Sequence, residues 1–259
     1  MIRTLLNNFA SPVLMALVVG FTLIVGLGSE AAQRRRGRTP ERRSNEMLVL
    51  TVEFVGLAYA ILVGFVIVSL WQDQAEAREA VSSEASTLQD IVSISRVLPP
   101  DDANGIRAAV RSYCQAVVDE EWALLRRGST SPRAEARAQA IFSAVTAVDS
   151  SGPVATTLQS SMIGSVRDFA ARRNHRLELA DVRLPGELWL LVILATFVLI
   201  VLVSGFESDG PSDIRTTLVI AGMMGMLLFA IVALSYPFSG DVSISPEPFV
   251  AVARSLTTA

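Results

Sequence analysis

The chain has 259 residues, 51% of them hydrophobic, a net charge of -3 and a mean hydropathy of +0.46, more apolar than a water-soluble domain usually tolerates, which points to a membrane. All 22 basic residues are arginine, against 25 acidic ones, so there is no general attraction for nucleic acid, and none is expected as a partner. The single cysteine, Cys114, excludes an intrachain disulfide and a cysteine-rich metal site.

Four apolar runs, 12–27, 47–70, 188–205 and 216–236, approach the roughly 20 helical residues that cross a hydrocarbon core. The first stands where a signal peptide would. Only Arg3 precedes it, however, and SEAAQRRRGR follows in place of a small-residue cleavage site, so a retained helix is expected. The sequence therefore predicts an all-α protein: four membrane spans with a polar helical bundle inserted between spans 2 and 3. The divisions are 1–70 (spans 1 and 2 with an arginine-rich connection), 71–186 (the polar bundle) and 187–259 (spans 3 and 4 with a C-terminal tail).

The bundle begins as a direct continuation of span 2, because no proline or glycine interrupts the chain before Pro99 and Pro100. Ala77, Val81, Leu88, Ile91, Ile94 and Val97 recur there at helical spacing and form an apolar stripe. A second helix starts at PPDDANGI, with Asp101 and Asp102 expected to cap its free N–H groups, and ends near Gly128. Ser131 and Pro132 open a third that runs to about Val148, and SSGPVATT opens a fourth that ends before Leu184 and Pro185. The short acidic loop FESDGPSDIR makes the last two spans an antiparallel hairpin. The tail begins irregular, with Pro237, Pro246 and Pro248, and turns helical from Pro248.

Arg34, Arg35, Arg36, Arg38, Arg42 and Arg43 crowd the first connection, and short arginine-rich loops stay on the cytoplasmic side. That places both termini and the bundle outside the cytoplasm of a multi-pass cell-membrane protein. Arg167, Arg172, Arg173, Arg176 and Arg183 oppose this with less weight, since long loops translocate largely regardless of charge. Trp71, Trp189 and Tyr236 all fall at the bundle-side ends of spans, where an aromatic belt is expected.

Within span 2, Glu53 heads a stripe of small residues, Gly56, Ala60 and Gly64, at helical spacing. Two readings stay open. In one, Glu53 is an interfacial carboxylate tied to Arg215, ahead of span 4, or to water. In the other, Glu53 side chains ring an oligomeric pore that passes small ions. Gly222 and Gly225 mark a second small stripe, and Met223, Met224 and Met226 between them read as adaptable packing rather than a copper path. His175 lies among charges and reads as a solvated helix residue; DEEW, residues 119–122, reads as a solvated face beside a buried tryptophan. No P-loop, G-x-S-x-G or H-E-x-x-H occurs, so neither an enzyme nor a metal or other cofactor is expected.

The pieces LVGFVIVSLWQDQAEAREAVSSEASTL, SYCQAVVDEEW, RLELADVRLPGELW and PFSGDVSISPEPF resemble the bestrophin-like family of bacterial and plant integral membrane proteins of uncharacterised activity. The resemblance covers most of the chain from span 2 onward. It implies signature positions at Gly64, Phe65, Trp71, Glu84, Tyr113, Glu121, Trp122, Arg176, Pro185, Trp189, Pro237, Phe238 and Gly240. Bestrophins proper are pentameric anion channels with a similar layout, so the resemblance implies a homo-oligomeric ion channel in the lipid bilayer. The alternative is a membrane-anchored sensory or scaffolding protein whose bundle binds a ligand or partner.

Overall fold

In the computed structural model, which describes residues 6–7, 11–35, 42–148, 153–181, 184–204 and 212–257, the elements are α1 (Ser11–Arg35), α2 (Arg42–Ser95) and α3 (Pro100–Ala116), followed by a π turn (Val117–Glu121). Next come α4 (Trp122–Leu125), α5 (Pro132–Thr146), α6 (Pro153–Leu179), α7 (Gly186–Ser204), α8 (Ser212–Leu234) and α9 (Glu247–Ser255). Among the described residues all regular structure is helical. Arg36, Arg38 and Arg183, the side chains of Arg34, Arg42 and Arg43, and residues 205–211 and 149–152 lie outside that description.

Four helices are long and apolar enough to span a bilayer: Ser11–Ala32, Met47–Ser95, Gly186–Ser204 and Ile214–Leu234. The chain divides into two units, Met1–Gln72 with Arg183–Ser235 and Asp73–Val182 with Tyr236–Ala259; α2 contributes to both.

In the first unit, Tyr59, Val63, Val66 and Leu70 recur every three or four residues on α2 and pack with Val192 and Leu199 of α7 and Leu228 and Ile231 of α8. Tyr59 and Thr196 join their hydroxyls at 3.0 Å, while Thr196 also donates to the Val192 carbonyl at 2.8 Å. Phe54, Leu57, Ile61, Phe65 and Val68 of α2 stay exposed, with Leu190, Leu194 and Phe197 of α7. Water would penalise so much bare apolar surface; hydrocarbon does not. The α1 and α8 backbones approach closely at Gly225, where an added Cβ would lie 2.8 Å from the Val19 Cα. Gly222 meets nothing within 4 Å, so the expected small stripe reduces to one glycine that a neighbour requires.

In the second unit, Ala77, Val81, Leu88 and Ile91 of α2 are buried and Ile94 packs against the core, but Val97 lies beyond the helix end and is exposed. Asp101 and Asp102 occupy the first turn of α3 rather than its cap; Pro99 stands at the cap position, with no side-chain hydrogen bond. Their charge still suits the positive end of the helix dipole. Gly128 takes φ 78°, in the left-handed region, to turn the chain after α4. Ser131 caps α5 by accepting from the Ala134 N–H at 3.1 Å and donates to Glu120 Oε1 at 2.7 Å. The C-terminal segment enters this unit's core through Phe238, Ile244, Phe249, Val252 and Leu256. Gly240, at φ 80°, makes the turn that brings the Ile244 N–H to the Pro237 carbonyl at 2.9 Å. His175 is half-buried, its Nε2 3.3 Å from Glu76 Oε1.

Candidate functional site

The bundle core holds charge where its apolar stripes predict hydrocarbon. Glu84 stands three residues after Val81 and four before Leu88, in line with the buried face of α2. On α6 the buried series Met162, Val166, Phe169 runs on into Arg173 and Arg176 at the same spacing. Glu121 closes the π turn, whose widened backbone takes up an extra residue and swings the next residue, Trp122, inward as well. Only Asp119 of the DEEW stretch is exposed, and Glu120 is half-buried. The solvated face expected for Glu121 is therefore corrected: it stands four residues after Val117 and eight after Tyr113, in line with the buried face of α3.

These side chains meet in one network. Arg176, Glu84 and Glu121 are each 0% exposed. The Arg176 Nε donates to Glu84 Oε2 at 2.6 Å, and its Nη2 donates to Glu84 Oε1 at 3.3 Å and to Glu121 Oε1 at 3.2 Å. Tyr113 donates its hydroxyl to Glu84 Oε1. Arg173 Nη2 reaches Glu121 Oε2 at 3.4 Å, and Arg173 Nη1 reaches Glu135 at 2.7 Å, so ion pairs run from the core to a half-exposed carboxylate. Among the described residues none accepts a hydrogen bond from Arg176 Nη1. Its guanidinium carbon instead lies 5.7 Å from the Trp122 ring centroid and 5.4 Å from that of Phe249, within cation–π range.

The aromatic residues close the site. Tyr113 meets Phe169 edge to face at 5.0 Å, and Trp122 meets Phe238 at 5.5 Å. Trp122 Nε1 donates to the Ile244 carbonyl at 3.0 Å, tying the C-terminal segment to the network. Burial raises the Tyr113 hydroxyl well above its usual pKa, and the Glu84 charge raises it further. For Arg176, burial pulls the pKa down, but Glu84, then Tyr113 and Glu121, raise it more, so the net shift is upward. The adjoining Cys114 thiol is pushed up to about 12 by burial, then by Glu84. A buried cluster in which each charge faces an opposite one suits holding helices in register.

The structure thus gathers Glu84, Tyr113, Glu121, Trp122, Arg176 and Phe238 within one core, with Pro237 and Gly240 shaping the turn behind them. It leaves others apart from it: Phe65 and Trp71 are exposed on α2, the Pro185 carbonyl accepts from Leu188 and Trp189 at the start of α7, and Trp189 packs in the membrane-unit core. Glu53, Ala60, Gly64 and Arg215 are exposed and Gly56 is half-buried; among the described residues no ion pair joins Glu53 to Arg215. Arg173 was missed as a site residue, although its place in an apolar stripe signalled burial.

The Bestrophin-like domain pattern matches residues 19–249, a stretch that contains the whole network. The chain belongs to the bestrophin-like family. Two crystal structures of point variants of a bacterial bestrophin homologue from Klebsiella pneumoniae are similar in fold. One has a TM-score of 0.73 at 14% identity, covering 93% of this chain and 96% of that one. The other has 0.72 at 13%, covering 94% and 98%. A variant of a membrane protein, also a crystal structure, gives 0.74 at 12%, covering 94% and 97%. No curated protein sequence matches the chain. At such identities what this bestrophin-like protein shares with those structures is the fold.

Proposed function

We propose that this bestrophin-like protein assembles into a homo-oligomeric ion channel of the cell membrane, with residues 47–70 of α2 around the axis. One observation carries the proposal. The α2 face bearing Glu53, Ala60 and Gly64 is left open in the protomer: Gly64 has nothing within 4 Å of an added Cβ, and Gly56 meets only Leu199, at 4.0 Å. At 100° per residue this face lies roughly a third of a turn from the buried Tyr59–Val63–Val66 face, so α2 can pack on its own protomer and still present Glu53 elsewhere. A carboxylate inside a span belongs against protein or water, and copies around an axis supply both. A ring of Glu53 side chains concentrates cations. Arg215, exposed on α8, is assigned to a contact across the subunit boundary.

Reconstituted protein should pass current, and Glu53→Gln should move the reversal potential under a salt gradient toward reduced cation preference. A monomeric, non-conducting preparation, or an unchanged reversal potential, would refute this reading. The arginine-rich first loop supports a bundle on the exterior side. In a Cys114→Ala background, Ser129→Cys should then react with an impermeant maleimide added outside intact cells. Reaction only from the cytoplasmic side reverses the topology.

A further inference from the structure

The turn after α4 carries positive charge back to the level at which the membrane spans end. Residues 122–134 hold three arginines, Arg126, Arg127 and Arg133, and no acid. Arg133 turns to Glu120, at 3.8 Å. Arg126 and Arg127 are exposed, with Ser129 and Thr130 exposed beside them. Two observations fix the height of this turn. First, α2 and α3 run antiparallel, with Tyr113 donating to Glu84 across them. The helical path continues through α4 to Leu125, so Arg126 stands thirteen residues on from Tyr113, and Trp71 stands thirteen residues back from Glu84. At 1.5 Å per residue both lie about 20 Å from that contact, on the same side of it. Trp71, 62% exposed, closes the apolar run of α2. Second, the Arg126 carbonyl accepts from Ser239 Oγ at 3.0 Å. The Ser239 N–H donates to the Tyr236 carbonyl at 3.0 Å, and a turn of that kind holds its ends within about 7 Å. Arg126 is thus one turn of chain from the tyrosine that follows span 4. Asp241, two residues past Ser239, is a single acid against two arginines and leaves the turn net positive.

We propose that Arg126 and Arg127 bind the phosphate of anionic lipids, with Ser129 and Thr130 as further donors, and so fasten the base of the bundle to the headgroup layer. Arginine suits the task because its planar fork meets phosphate oxygens in pairs. Each basic side chain at an anionic surface adds roughly 5-fold in affinity, about 30-fold for two. Trp71 and Tyr236 supply the aromatic part of the same interface. The partner is a lipid rather than a soluble phosphate because the turn stands where two of the spans end.

Amide hydrogen exchange of the full-length protein reads this locally, and it depends on neither conduction nor subunit number. In nanodiscs of phosphatidylcholine with about 30% phosphatidylglycerol, exchange across residues 127–131 should be about 10-fold slower than in phosphatidylcholine alone, within what two arginines can supply. The double variant Arg126→Gln, Arg127→Gln should exchange at the phosphatidylcholine rate in both lipids. Arg96→Gln, an exposed arginine just past the far end of α2, should keep the full difference. About 10 mM inorganic phosphate added to phosphatidylcholine discs should leave the rate unchanged. Equal slowing by free phosphate would assign the turn to a soluble anion and overturn the proposal. So would exchange that ignores the lipid, a lipid effect that survives in the double variant, or one that disappears in Arg96→Gln.

Discussion

Replacing Arg176 with methionine strips the cation from two carboxylates, Glu84 and Glu121, that are wholly buried. The side chain makes ion pairs to Glu84 at 2.6 Å and to Glu121 at 3.2 Å. It also lies over the rings of Trp122 and Phe249. Methionine keeps much of the volume, so the loss is electrostatic rather than a cavity. Breaking a buried pair by removing one partner costs about 3–5 kcal/mol, because the remaining charge stays desolvated. Arg173 offsets part of this for Glu121, at 3.4 Å, but among the described residues no second cation pairs with Glu84. For a bundle of this size the cost corresponds to a melting-temperature fall of about 10–20 °C. Circular dichroism melts in one nanodisc preparation would measure it, with Arg176→Lys intermediate because it keeps the charge and loses the fork. Removing all three charges, in Arg176→Met with Glu84→Gln and Glu121→Gln, should recover at least half of the loss. If Arg176→Met melts within about 4 °C of the parent, or the triple variant melts no higher than the single one, the buried network does not hold the bundle as described.

Gly225→Val should destabilise by about 1–3 kcal/mol in the same melts, since an added Cβ would meet Val19 Cα at 2.8 Å and Thr22 Oγ1 at 2.6 Å; Gly222→Ala, with nothing within 4 Å, should be neutral. Trp122→Phe keeps a ring in the core but loses the bond to the Ile244 carbonyl, so it should cost about 1 kcal/mol and speed limited proteolysis between Gly240 and Pro246. Cys114, with its thiol pKa raised to about 12, should react with a maleimide at pH 8 only as fast as the protein unfolds. Because the folded pKa lies above the unfolded one, the thiol's contribution to stability is fully present below about pH 8.5 and declines as pH rises toward 12. Alkaline denaturation should therefore be steeper in the parent than in Cys114→Ala.

The sequence by itself determined the four spans and the helices of the polar segment between the second and third. Runs of apolar residues near 20 long have few ways to bury themselves, and proline, glycine and Ser131 mark helix ends through local chemistry alone. Signature positions such as Glu84, Tyr113 and Arg176 were legible only as a pattern of resemblance, without a reason for their chemistry. Only the tertiary structure supplied that reason. Glu84, Tyr113, Glu121 and Arg176 come from separate stretches of chain, and their meeting depends on how the helices that carry them pack together. The destination of Phe238 and Phe249 was decided there as well, because nothing local says which core an apolar tail enters. Periodicity reports which face of a helix is buried; what that face is buried against is a long-range property, set by packing and charge pairing across the fold.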